Sequence, residues 1–151
     1  MKYILCIFFL LILFVAKAQV SLSVSLGVSD AVSLTGNPFT YTVYFAVSSA
    51  NEPGKGVVIT DTLPEYISLK SMVSSSLIAS YTYDTLARII TIKLKDPLPA
   101  GTSGSLQLNC AFENLKTPNA FSAVNKVSIS GTNAVKSPVL SNATTTVSSA
   151  K

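Results

Sequence analysis

From Val20 to Val28 the chain alternates without a break, setting Val20, Leu22, Val24, Leu26 and Val28 against Ser21, Ser23, Ser25 and Gly27. A period of two puts every apolar side chain on one face of an extended strand, whereas a helix would repeat its faces about every 3.6 residues. The same period returns at Phe39, Tyr41, Val43, Phe45 and Val47, at Ile90, Ile92 and Leu94, at Leu106, Leu108, Cys110 and Phe112, and at Val127 and Ile129. No periodic segment has a helical repeat. Thr35-Gly36-Asn37-Pro38, the loop from Ser48 to Gly56, and Asp96-Pro97-Leu98-Pro99-Ala100-Gly101 supply turns between them. An all-β sandwich follows.

Within that frame the stretch Gly56 to Ile67 reads as a strand and the corner that ends it. Val57, Val58, Ile59 and Thr60 are β-branched and suit a pleated surface. Asp61 can bond its own backbone two residues on, so it is expected to start a turn. Pro64 has no N–H to give a ladder and biases Leu63 towards an extended backbone, which predicts that the chain leaves the sheet here with Leu63 beside the core. Phe39 to Val47 carries the heaviest side chains and is expected at the centre of its sheet. Ile67, Leu69 and Met72 suggest a short edge strand, Asp84-Thr85-Leu86-Ala87 a hairpin connection, and Val139 to Val147 a closing strand. The 22 serines and 14 threonines fall mostly at outward positions, which keeps a chain with 12% charged residues soluble.

The N-terminus has a different character. Met1-Lys2 is followed by apolar residues from Ile4 to Val15 and the small-residue pattern Ala16-Lys17-Ala18, a secretory signal peptide. Lys17 and the alternating residues after it make the apolar run too short for a membrane anchor. Cleavage after Ala18 leaves 133 residues, enough for a single domain spanning 19–151. It also removes two lysines, leaving nine basic residues against seven acidic, a net charge of +2 that gives no electrostatic case for nucleic acid. Cys6 departs with the leader. Cys110 then has no disulfide partner and, in phase with Leu108 and Phe112, is expected to be a small buried hydrophobe.

Reactive groups are scarce. The absence of histidine removes the usual serine and cysteine triads and every histidine-ligated metal site. The seven carboxylates are Asp30, Glu52, Asp61, Glu65, Asp84, Asp96 and Glu113; six of them fall in expected turns or at strand ends, and no spacing nominates an acid–base pair. Neither a dedicated calcium loop nor a glycine-rich phosphate loop is present. No catalytic, cofactor-binding or metal-ligating residue is therefore nominated, and no cofactor is expected. Asn142-Ala143-Thr144 fits the N-glycosylation pattern, which is common by chance in threonine-rich sequence.

Four segments together carry a family resemblance: Asn37-Pro38-Phe39-Thr40-Tyr41-Thr42-Val43, Gly56 to Pro64 with its Asp-Thr-Leu-Pro ending, Leu98-Pro99-Ala100-Gly101, and Val124-Asn125-Lys126-Val127-Ser128-Ile129-Ser130-Gly131. In order and spacing they resemble the conserved-repeat domain of unknown function family 11 of bacterial surface proteins, over roughly Val20 to Val147. The resemblance implies an immunoglobulin-like antiparallel β-sandwich acting as a spacer, stalk or adhesive module, here as one copy with no anchor. Related modules can carry an internal Lys–Asn isopeptide bond assisted by a buried acid. Asn125 and Asn142 are residues of the acceptor type, but the first strand has no lysine to attack them. The leader's Lys17-Ala18-Gln19 ending is similar to those of the Bacteroidetes.

The expected function is thus a secreted or cell-surface, non-catalytic structural or adhesive module, with other surface proteins or extracellular polymers as partners and no membrane span after cleavage. The alternative is a carbohydrate- or calcium-dependent extracellular binding module. Tyr66, Tyr81, Tyr83 and Asp84 are where such a ligand would first be sought, because aromatic rings near loops can stack on sugars.

Overall fold

Each alternating stretch forms a strand in the computed structural model, which describes residues 19–30, 32–34, 36–49, 51–73, 75–113 and 121–148. The expected leader, 1–18, lies outside the described residues. The strands are β1 (Ser21–Val28), β2 (Val32–Leu34), β3 (Pro38–Ser48), β4 (Val58–Thr62), β5 (Ile67–Val73), β6 (Ile78–Asp84), β7 (Ile89–Leu94), β8 (Ser103–Phe112), β9 (Phe121–Ser130) and β10 (Val139–Ser148). They form a four-stranded sheet in the order β1-β3-β8-β5 and a six-stranded sheet in the order β2-β10-β9-β4-β7-β6. All pairings are antiparallel except that of β2 with β10.

The inward phase of each strand builds the core. Tyr41, Val43 and Phe45 from β3 and Leu106, Leu108 and Cys110 from β8 lie buried against Ile59 from β4, Ile90 and Ile92 from β7, and Val127 and Ile129 from β9. β3 sits between β1 and β8, the central place its heavy side chains predict. Phe39 stacks on Phe112 at 5.0 Å between centroids and meets Tyr41 edge-on at 5.2 Å, so the end of this core is closed by aromatic packing.

The Pro64 corner also forms as expected. Leu63 is buried with its N–H bonded to the Arg88 carbonyl, and Ile67 N–H reaches back to the Pro64 carbonyl to close the turn into edge strand β5. The register shifts between Leu69 and Ser71 in β5, and again between Ile78 and Ser80 in β6, one of the two edges of the other sheet. β2 was not foreseen. It has three residues, and its partner, the end of β10, is more than a hundred positions away, so no local pattern marks it.

Candidate functional site

Asp61 corrects the sequence reading. It does not begin a turn: β4 continues through Thr62, and Asp61 falls on the same face as Ile59, with none of its surface exposed. Asn125 of β9 and Thr145 of β10 are also fully buried, so three polar side chains from neighbouring strands of the six-stranded sheet point into the core. The Asn125 Nδ2 donates to Asp61 Oδ2 at 3.2 Å. Across the sandwich, the hydroxyls of Tyr41 and Thr145 share a hydrogen bond of 3.2 Å that ties one sheet to the other.

Burial decides the ionisation of this cluster. Loss of hydration pushes the Asp61 carboxyl from 3.8 up to about 7, with the Asn125 hydrogen bond pulling the other way. Tyr41 rises to about 12, chiefly by burial, with the bond to Thr145 acting against it. The Cys110 thiol also rises to about 12, first by burial and then because of the charge on Asp61, against an opposing pull from Lys70. Asp61 Oδ1 and Asn125 Oδ1 have no hydrogen-bond partner. Such a cluster holds strands together and presents no reactive atom to a solute.

The four residues singled out for a sugar or calcium ion do not converge as one site. Tyr66 occupies the corner after Pro64, 41% exposed and at φ 64°, its phenol raised by the hydrogen bond and charge of Glu65. Tyr81 and Tyr83 lie on β6 opposite Ile92 and Ile90, on the core side of the sheet, where Tyr83 packs against the core and Tyr81 stays half exposed. Asp84 already uses its Oδ1 to accept the Leu86 and Ala87 N–H groups at 2.9 and 3.0 Å, shaping the hairpin to β7. Among the described residues no three acidic, cysteine or histidine side chains group to hold a metal ion. Of the two asparagines of the acceptor type, Asn125 lies in the core beside the acid and Asn142 is exposed on β10.

The outer faces of the sheets differ in charge. β1, β3, β8 and β5 contain a single charged residue, Lys70, at the β5 bulge. The six-stranded sheet carries exposed Lys93 and Lys126 on its outer face.

No family profile matches the chain, and no curated protein matches it either. Solved structures do. A chain of the Coh-OlpC–Doc435 type I cohesin–dockerin complex from Clostridium thermocellum superposes with a TM-score of 0.63 at 10% identity, over 88% of this chain and 97% of that one. BcpA, the major pilin subunit of Bacillus cereus, gives 0.63 at 12% identity over 85% of this chain and 40% of the pilin. A non-cellulosomal cohesin from the archaeon Archaeoglobus fulgidus gives 0.53 at 13% identity, over 87% and 92%. The fold is accordingly an immunoglobulin-like β-sandwich of the kind these cohesin and pilin chains share. The chain spans the cohesins almost end to end and about two-fifths of the pilin.

Proposed function

We propose that this chain is an exported, surface-exposed, non-catalytic module with a structural or adhesive role. One observation carries the reading: the groups whose ionisation the fold perturbs most, Asp61, Cys110 and Tyr41, are sealed in the core, while the outside presents broad sheet faces rich in hydroxyls. A surface of that kind offers area for contact and little for chemistry. The leader ending at Ala18 supports export, and the fold in common with pilin and cohesin chains supports a structural or binding role. Other surface proteins or extracellular polymers are the partners of such a module.

Fractionation of cells tests the proposal. The processed chain is expected outside the inner membrane, beginning at Gln19 and open to protease on intact cells, and loss of its gene is expected to reduce attachment or cell–cell cohesion. Retention of the full-length chain in the cytoplasm overturns the reading. So does substrate turnover by the purified chain that vanishes when one exposed carboxylate is replaced.

A further inference from the structure

The strand register builds a compact array on the outer face of the four-stranded sheet. Tyr44 at the centre of β3 is flanked by Ser25 on β1 and Ser105 on β8, and in the adjoining row Ala46 is flanked by Ser23 and Ser103. With neighbouring strands about 4.8 Å apart and alternate residues of a strand roughly 6.8 Å apart, four hydroxyls frame a patch about 10 by 7 Å around one aromatic ring and one methyl group. These residues line an open depression of about 430 Å³. The Tyr44 ring leans towards β1, where a Cβ on Gly27 would lie 3.8 Å from its Cε2, an ordinary contact, and Tyr44 remains 52% exposed.

We propose that this depression binds a neutral glycan, with Tyr44 as the stacking platform and the four serines as the hydroxyl rim. The assignment rests on the reading of the chain as an exported adhesive module and gives that adhesion a ligand class. Three features choose the occupant. The single charged residue of these strands, Lys70, is at the edge bulge, so the patch has no counter-charge for an anionic or cationic ligand. Serine hydroxyls both donate and accept, which matches a ligand whose own groups are hydroxyls. Tyrosine set among serine and glycine provides rigid contact area beside adaptable hydrogen bonding, a combination that binding loops use repeatedly. A protein partner needs roughly 800 Å² on each side around an apolar centre, and this face offers one ring and small polar residues instead.

Affinity electrophoresis of the purified exported chain through gels containing a neutral β-glucan, a mannan or a xylan, with alginate as an anionic control, tests the assignment. At least one neutral polymer is expected to retard the chain, and alginate is not. Tyr44→Ala is expected to weaken retardation roughly tenfold, Tyr44→Phe to keep it within about threefold, and Tyr81→Ala to leave it unchanged. Should Tyr44→Ala lower the melting temperature, Ser105→Asp gives an independent reading, since a charge on the rim is expected to abolish retardation. Lack of retardation by every neutral polymer, or retardation of Tyr44→Ala and Ser105→Asp equal to that of the parent chain, overturns the proposal. A dimer in sedimentation that Tyr44→Ala dissolves also overturns it and gives the face to a second copy. A surface-exposed chain that binds no glycan sinks this assignment alone, whereas a glycan-binding chain retained in the cytoplasm sinks the export reading alone.

Discussion

Asp61 and Asn125 meet at 3.2 Å in the middle of the sandwich, and the pair leaves one oxygen on each side chain without a donor. Two facing oxygen-bearing groups with a single N–H between them lack one proton. Protonation of Asp61 would turn an acceptor into a donor, so the neutral acid suits this environment better than the carboxylate.

Stability should therefore fall as the solution becomes more alkaline. The folded carboxyl holds its proton up to about pH 7, whereas in the unfolded chain it releases it near 3.8. Between those values the folded state binds more protons, so this stabilisation is complete below 3.8 and is lost as pH rises through about 7. The expected loss is on the order of a few kcal/mol. Urea midpoints at about pH 5 and pH 8 measure it. Asp61→Asn should flatten the dependence and exceed the parent chain in stability at the higher pH; a parent midpoint that rises with pH contradicts the account.

The Tyr41–Thr145 bond joins two sheets whose facing surfaces are otherwise mostly apolar. Tyr41→Phe keeps the ring and leaves the buried Thr145 hydroxyl without that partner, at a cost of about 1 kcal/mol. A lower urea midpoint with an unchanged slope is the expected signature. Thr145→Val in the Tyr41→Phe background should recover part of the loss, because neither hydroxyl then remains.

Gly104 is fixed by space. A Cβ there would stand 2.7 Å from Phe45 Cζ and 3.0 Å from Leu77 Cδ1. Gly104→Ala is expected to destabilise by roughly 1–3 kcal/mol, with Phe45 giving way first. Gly104→Ala combined with Phe45→Leu should cost less than the two single changes added, a coupling that a double-mutant thermal-melting cycle reads directly.

Cys110 should resist modification while the sandwich is closed. It is fully buried and its thiol is raised to about 12, so little thiolate exists near neutrality and no reagent reaches it. Labelling by iodoacetamide at about pH 8 should be negligible in buffer and fast in urea, with a rate that follows the unfolded fraction. Rapid labelling in buffer would show that the core opens locally at β8.

The alternating segments, the central position of β3 and the Pro64 corner were legible because each depends on residues within one strand. Asp61 was legible in principle. It continues the inward phase of Val57 and Ile59 that Leu63 completes, and that phase outweighs the turn propensity of a single aspartate. Asn125 likewise sits in phase with Ala123, Val127 and Ile129. No local pattern shows that the two side chains would meet from positions 64 residues apart. The Tyr44 array is invisible in the sequence for the same reason: Ser25 and Ser105 flank it only once β1, β3 and β8 lie side by side, and a tyrosine in the middle of a strand carries no local mark of a site. β2 escaped because three residues are too few to set a period.

The slips in register at β5 and β6 bear on life at high density. A straight, unpaired margin invites another chain to continue the sheet, while an extra residue twists the margin and puts its bonding groups out of step. On both of these margins the slip falls within the strand, and on β5 it carries Lys70. Another copy would then find no straight partner along β5 or β6, and each of those two strands would keep its own hydrogen-bond ladder.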